Sequence, residues 1–422
     1  MALTSSHNQS QLPDERAHNE SVAVDRDQCG IESENVVRVS DDFAQFATAS
    51  RSAMIPNRPR PLRVAMVSAL ALPEMGGIET HVHEVSTRLA GAGVDVTVLT
   101  TDRSGELPIE EDFPGYHVRR WPTYPRSQDY GLAPGLARHL MSEHYDIVHV
   151  QGIRTLLAPT ALAAARRAGV PSVLTLHTGG NRSALRQSLR PLQFRLCSPL
   201  LRGAAAVVAV CEYERRKFAE LLGVSNGTIR LIRNGSDPLP IDPSAEKHDG
   251  SPLLVSGGRL ERFKGHHRIL GAMPAILAQA PDARLVIVGD GPYERPLRAM
   301  ANRLGVADRV SICRFGPDQR GSLGRLVVDA DVFCLLSESE AHPIAVMEAV
   351  GAGTKALVAD TTGLSELGRA GLVTTIPLKA SAAQIAATVL DLAAAPDTAP
   401  APSMSWDGCA AELHHLYCEI AT

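Results

Sequence analysis

The chain has 422 residues, 44% of them apolar, and a formal net charge of −4 at pH 7. That length predicts about two or three domains with sizeable cores, and the faintly acidic balance gives no ground for a nucleic-acid partner. Seven cysteines lie scattered without CxxC or zinc spacing, which fits a reducing compartment and not a disulfide scaffold. The N-terminus has no apolar signal core, and no apolar run nears the ~20 residues that span a bilayer, so the expected location is cytoplasmic.

Residues 1–60 are rich in Ser, Asn, Gln, Asp, Glu and Arg without a hydrophobic period, and read as a disordered tail with at most a short helix over 41–54. The run Arg63 to Ser68 is short and apolar, as a buried parallel strand is. A turn holding Gly76 and Gly77 follows, and Ile78, Val82, Val85 and Leu89 then mark one helix face. Val94–Leu99, Asp146–Val150, Ser172–Leu176 and Ala206–Val210 continue the strand-helix alternation of a doubly wound α/β domain, placed at 61–240. The stretches 102–135 and 178–203 match no motif and read as loops.

Residues 241–252, rich in Pro, Asp, Ser and Gly, read as a linker. A second α/β domain is expected over 253–404, with strands at Leu253–Ser256, Arg284–Val288, Val310–Ile312, Val332–Leu335 and Lys355–Val358. Residues 405–422 have helical period. Two such domains facing one cleft form a ligand site at the carboxyl ends of their strands.

Two clusters carry the chemistry. Gly257-Gly258-Arg259-Leu260-Glu261-Arg262-Phe263-Lys264-Gly265 sets an Arg and a Lys on a glycine-flanked turn. Glu340 and Glu348 stand with seven residues between them, the first after an apolar run, the second on a helical stretch. A guanidinium fork and a compact ammonium suit phosphate oxygens, and ionised carboxylates accept hydrogen bonds from sugar hydroxyls. Together they read as a nucleotide-sugar site. The plainer alternatives are surface cations on a turn and two solvated glutamates at a helix start.

In their order and spacing, Gly76-Gly77, His177, Asn234-Gly235, Gly258-Arg259-Leu260 with Lys264-Gly265, Gly289-Asp290-Gly291-Pro292, and Glu340 with Glu348 resemble the retaining glycosyltransferases of family 4, over about residues 61–422. The resemblance implies the GT-B fold: two Rossmann-like domains, acceptor-binding then nucleotide-sugar-binding, with the final helix crossing back onto the first. It puts Arg259 and Lys264 on the donor diphosphate, Glu340 on the transferred sugar and Glu348 on the ribose. The backbone of Ala341, His342, Pro343 and Ile344 falls beside the sugar and phosphates. Gly76 and Gly77 lie near the diphosphate and acceptor, and Gly289 and Gly291, with Gly258, shape the nucleotide side. Glu-Ala-His-Pro departs from the commoner Glu-Gly-Phe-Gly, and Pro343 removes one N–H donor.

His177, at a strand end, is implied to touch the donor sugar or support the reacting centre, with a packed structural histidine as the alternative; His149 reads equally as structural. Glu79 and His81 are read as facing the acceptor.

The implied activity is transfer of a hexosyl group from a nucleotide-diphosphate sugar, UDP-sugars first, to an acceptor hydroxyl on a glycan, lipid-linked sugar or secondary metabolite. An epimerase or hydrolase, or a non-catalytic nucleotide-sugar binder, would share the fold. Asp329-Ala330-Asp331 spells the Asp-x-Asp of metal-dependent transferases but leads into an expected buried strand; no metal or other cofactor is expected. Arg182, Arg186, Arg190, Arg195 and Arg202 form a basic stretch that reads as a solvated face or as a weak dock for anionic membrane or a phosphorylated acceptor.

Overall fold

The computed structural model describes residues 60–421 except 75, 126–130, 154, 179–193, 196, 246, 398 and 401–403. The expected N-terminal tail, save Arg60, and the basic residues Arg182, Arg186 and Arg190 lie outside the described residues.

The first sheet has eight strands: β1 (Arg63–Ser68), β2 (Asp95–Asp102), β3 (Glu110–Phe113), β4 (Tyr116–Pro122), β5 (Ile147–Gln151), β6 (Ser172–Thr175), β7 (Ala206–Ala209) and β8 (Arg230–Leu231). Their order is β3-β4-β2-β1-β5-β6-β7-β8. All neighbours are parallel except β3 on β4. The second sheet has six: β9 (Leu253–Gly257), β10 (Arg284–Val288), β11 (Val310–Cys313), β12 (Val332–Leu335), β13 (Lys355–Ala359) and β14 (Thr374–Ile376). Their order is β11-β10-β9-β12-β13-β14, parallel throughout. The strand order reverses between β1 and β5 and between β9 and β12. In open parallel sheets ligands bind in the crevice at such reversals.

The described helices include α1 (Gly77–Gly91), α2 (Pro134–Ser142), α3 (Leu157–Ala168), α4 (Glu212–Leu222), α5 (His266–Leu277), α6 (Glu294–Leu304), α7 (Arg320–Asp329), α8 (Ile344–Gly351), α9 (Leu364–Arg369), α10 (Ala382–Ala394) and α11 (Trp406–Ile420). None of the described helices is long and apolar enough to cross a membrane.

Helices cover both faces of each sheet, so the inner strands are apolar without alternation. In β1, Ala65 and Val67 enter one core with α2 and α3, while Val64 and Met66 enter the other with α1 and α11. The stretch 102–135, expected from sequence to be loop, carries β3 and β4. Those strands lie at the sheet edge and mix charged with apolar residues, so no apolar run announced them. Arg60, the first described residue, pairs with Asp146 at 2.7 Å.

The last helix lies on the first domain. Trp406, Cys409, Ala410, Leu413, Leu416 and Tyr417 are buried on one stripe of α11, and all but Ala410 join the α1 side of the first core. Ser405 caps its first turn by accepting from the Gly408 N–H at 3.0 Å. The chain thus passes between domains twice, and the passages touch. A Cβ on Gly235 would stand 2.5 Å from Trp406 Cα, which explains the glycine. Ser236 N–H donates to the Met404 carbonyl at 2.8 Å, and Trp406 N–H to Asp237 Oδ1 at 3.1 Å. Arg88 of α1 then gathers Glu84 at 2.5 Å, Asp237 at 2.6 Å and Asp407 at 2.6 Å.

Tyr417 ties α11 to the sheet itself. Its hydroxyl lies 2.5 Å from His149 Nδ1, and His149 Nε2 lies 2.7 Å from Thr175 Oγ1, all buried. Tyr417→Phe leaves a buried imidazole nitrogen without its closest partner, so it should cost ~1–3 kcal/mol. Denaturant unfolding of the variant checks this; an unchanged midpoint would remove the tether from the account.

Candidate functional site

The site lies where the reversal of the second sheet faces that of the first. After β9 the chain makes a glycine turn, and after β10 it makes another. The turns are laced together: Gly258 N–H donates to Val288 O at 2.9 Å, Leu260 N–H to Asp290 O at 2.8 Å, and Tyr293 N–H to Leu260 O at 2.9 Å. Gly289 and Gly291 have φ of 152° and 153°. A Cβ on Gly289 would sit 2.0 Å from the Gly258 carbonyl oxygen. Only glycine supports both the conformation and the approach.

This scaffold presents two cations differently. Arg259 is exposed at the turn, and its charge acts on Glu79 of α1, across the cleft. Lys264 is largely buried and donates to Glu340 Oε1 at 2.6 Å. Gly265, at φ 80°, lets the turn press on the loop after β12: a Cβ there would meet Leu336 O at 1.9 Å. Glu338 N–H and Ser337 Oγ both donate to Phe263 O, at 2.8 and 3.1 Å.

Glu340 is held by its backbone from the other side. Its N–H donates to Thr362 Oγ1 at 2.9 Å, and the same hydroxyl donates to Glu340 O at 2.7 Å. Thr362 is β-branched with φ 42°, a conformation that costs energy unless the surroundings impose it. A Cβ on Gly363 would lie 1.7 Å from Ala341 O. So the loops after β12 and β13 lock together, and Pro343 serves as the N-cap residue of α8.

Glu348, on α8, is 8% exposed. Burial raises its pKa, the facing charge of Arg320 opposes that, and Glu84 of α1 adds to it. Arg320 Nη2 donates to Glu348 Oε1 at 2.7 Å. Arg320 and Thr362 were not marked by the sequence reading, since neither belongs to a glycine turn or a spaced carboxylate pair.

On the first-domain side, Gly76 and Gly77 open α1, and Gly77 approaches Ile344. Glu79 folds back over Gly76, where a Cβ would meet its Oε2 at 2.3 Å. Burial raises the Glu79 pKa above the usual carboxylate range. His81 does not face an acceptor, in contrast to the expectation from sequence. It is 2% exposed, with its ring 4.7 Å from that of His177 and 5.8 Å from Trp406.

His177 has φ 45°, is buried, and places Nε2 2.9 Å from Gln151 Oε1. Burial lowers the imidazole pKa of His81 to about 4, of His149 to about 3 and of His177 well below its ordinary value. His177 therefore stands neutral at the end of a buried polar row. His342 is half-buried with both ring nitrogens out of solvent; burial lowers its pKa to about 3, so it stands neutral, and its carbonyl accepts from Asn234 Nδ2 at 3.2 Å. Asp329 is held by Arg325 at 2.6 Å and Asp331 accepts from Leu253 N–H at 2.7 Å, so both carboxylates of the Asp-x-Asp stretch serve the scaffold.

The domains also meet directly. Glu366 of α9 accepts from the backbone N–H groups of Glu212 and Tyr213 at the N-terminus of α4.

The sequence profile Glycosyltransferase Family 4 matches residues 75–238, and Glycosyl transferases group 1 matches residues 240–399. The D-inositol 3-phosphate glycosyltransferase of Nocardiopsis dassonvillei is 30% identical over 356 residues, covering 74% of this chain and 82% of that protein. The chain belongs to glycosyltransferase family 4. A second family member, the GDP-mannose:cellobiosyl-diphosphopolyprenol alpha-mannosyltransferase of Xanthomonas oryzae, is 30% identical and covers 79% of this chain and 89% of its own length. Anabaena HepE, solved with UDP-glucose, superposes with a TM-score of 0.60 at 20% identity, covering 85% of this chain and 96% of that one. That likeness shows the GT-B fold of this glycosyltransferase.

The Lys264–Glu340 pair gives a direct test of the site's electrostatics. Lys264→Met strands a buried carboxylate and should cost ~2 kcal/mol or more, whereas Lys264→Met with Glu340→Gln should recover much of the loss. If the cost of the double variant in denaturant melts equals the sum of those of Lys264→Met and Glu340→Gln alone, the pair is not coupled.

Proposed function

We propose that this family 4 glycosyltransferase moves a hexosyl group, with retention, from a nucleotide-diphosphate sugar to an acceptor hydroxyl on a glycan, lipid-linked sugar or secondary metabolite. Residues 253–404 bind the donor and residues 61–240 the acceptor, with 241–252 as linker and 405–422 as the crossing helix. The observation that carries this reading is the pairing of Lys264 with Glu340 at the reversal of the second sheet, beside a turn that leaves Arg259 exposed.

In the reaction, the bond from the anomeric carbon to the diphosphate oxygen breaks and its electron pair stays on that oxygen. Arg259 and Lys264 stabilise the charge as it develops, which is where fixed cations accelerate. Glu340 accepts from a sugar hydroxyl, and Glu348 from the ribose. The acceptor oxygen attacks on the face that the diphosphate leaves, and its proton passes to the departing phosphate. No protein nucleophile is required. The neutral His177 packs behind this centre and fixes the cleft wall.

UDP-sugars are the first donors to test, because HepE was solved with UDP-glucose; GDP-mannose follows, because the Xanthomonas relative is named for it. The free cysteines among the described residues support a reducing, cytoplasmic setting.

Nucleoside diphosphate release should be followed with UDP-glucose, UDP-GlcNAc, UDP-galactose, GDP-mannose and dTDP-sugars. Arg259→Ala should lower kcat by about 10²- to 10³-fold and Glu340→Gln should also slow turnover, with folding intact. A near-normal rate in Arg259→Ala would sink the diphosphate assignment. Donor consumption at full rate without any acceptor would replace transfer by hydrolysis or epimerisation.

A further inference from the structure

The guanidinium of Arg320 reaches Glu348 from a helix welded to the interdomain linker. Gly321 and Gly324 make α7 lie flush on residues 240–242. Asp242 N–H donates to Gly321 O at 3.1 Å, and a Cβ on Gly324 would sit 2.0 Å from Pro240 O. The first residue of α7 is therefore fixed in the cleft by backbone packing. From there Arg320, a third exposed, takes Oε1 of Glu348 at 2.7 Å, and Oε2 has no hydrogen-bond partner among the described residues.

We propose that Arg320 is a positioning residue for nucleotide binding: it occupies one oxygen of Glu348 and so presents the other to the ribose hydroxyls. This inference rests on the reading that Glu348 holds the ribose. A lone buried carboxylate would rotate and would favour its protonated form, which gives up acceptor capacity. The charged groups facing Glu348 are Arg320 of α7 and Glu84 of α1. Arg320 in turn faces His83, on the same α1 surface. Arg320 is thus the cation that offsets both burial and Glu84. Remove it, and protonation of Glu348 moves to higher pH, so nucleotide affinity falls as the pH is lowered.

The test is calorimetric binding of UDP and of GDP at pH 8.5, 7.25 and 6.0 to the full chain, with Arg320→Gln, Arg320→Lys and Glu348→Gln beside the parent. Comparing each variant with the parent at the same pH cancels the titration of the nucleotide itself. For Arg320→Gln the ratio of Kd values should climb toward the lower pH, by up to about tenfold per unit once Glu348 titrates. Arg320→Lys should recover most of the affinity, and Arg320→Gln with Glu348→Gln should show a flat ratio. The 2′-deoxy nucleotide should lose affinity for the parent and little more for Arg320→Gln. A flat ratio in Arg320→Gln, with Glu348→Gln impaired, would overturn the positioning role alone. Full nucleotide affinity in Glu348→Gln would overturn the ribose assignment and the inference with it. Melting midpoints of all variants identify any that fail to fold, and Arg320→Lys, which keeps the charge, supplies the comparison in that case.

Discussion

The structure depends on the contact between the two passages of the chain from one domain to the other. Outbound, the backbone at Gly235 lies against Trp406 on the return, so close that no side chain fits between them. Asp237 and Arg88 then fasten both passages to α1. A GT-B cleft is built from two independent sheets, and nothing in either sheet fixes its partner's position. The crossing does so, and with α11 buried along the first core it makes the return passage part of that domain. The glycine turns of the second sheet and the opening of α1 can then face each other at a set separation.

Within the cleft, the charges proposed to meet the donor are already paired inside the protein. Lys264 lies on Glu340 and Arg320 on Glu348. Burying single charges at these depths would be costly, and pairing limits that cost. The same pairing holds long side chains in place, so little ordering remains for a ligand to impose. The backbone does the rest. Glycines at φ above 140° bring two turns into contact, and Thr362 in a left-handed conformation grips both backbone atoms of Glu340. Arg259 is the exception, exposed and facing Glu79 across the gap.

Much of this was legible in the chain. Inner strands of parallel sheets are buried on both faces, so β1, β10 and β12 appear as bare apolar runs with their true ends. Gly258, Gly289 and Gly291 stood out because glycine recurs where backbones touch, and the structure supplies the reason at each. The edge strands β3, β8 and β14, and β4 beside β3, did not stand out, since strands at or next to an open edge mix polar with apolar residues. His81 misled because its position on α1 follows the glycine turn, while helix rotation sends its ring under Trp406. Arg320 and Thr362 come from segments that follow other strands, β11 and β13. Their partners are 28 and 22 positions away in the chain, a separation at which no local pattern carries information.

The carboxylate of Glu366, seated on the backbone N–H groups that open α4, differs in kind from the Arg88 cluster. Arg88 holds segments that travel together. Glu366 joins a helix of one domain to the first turn of a helix in the other. Any rocking apart of the two halves must part that carboxylate from the positive end of its helix, exposing both to water and to dissolved ions. Burial already raises the Glu366 pKa, against the pull of those N–H groups, so the contact carries a standing desolvation penalty. Separating the two halves would therefore require a carboxylate and two backbone N–H groups to be hydrated again, so this one contact resists opening of the cleft.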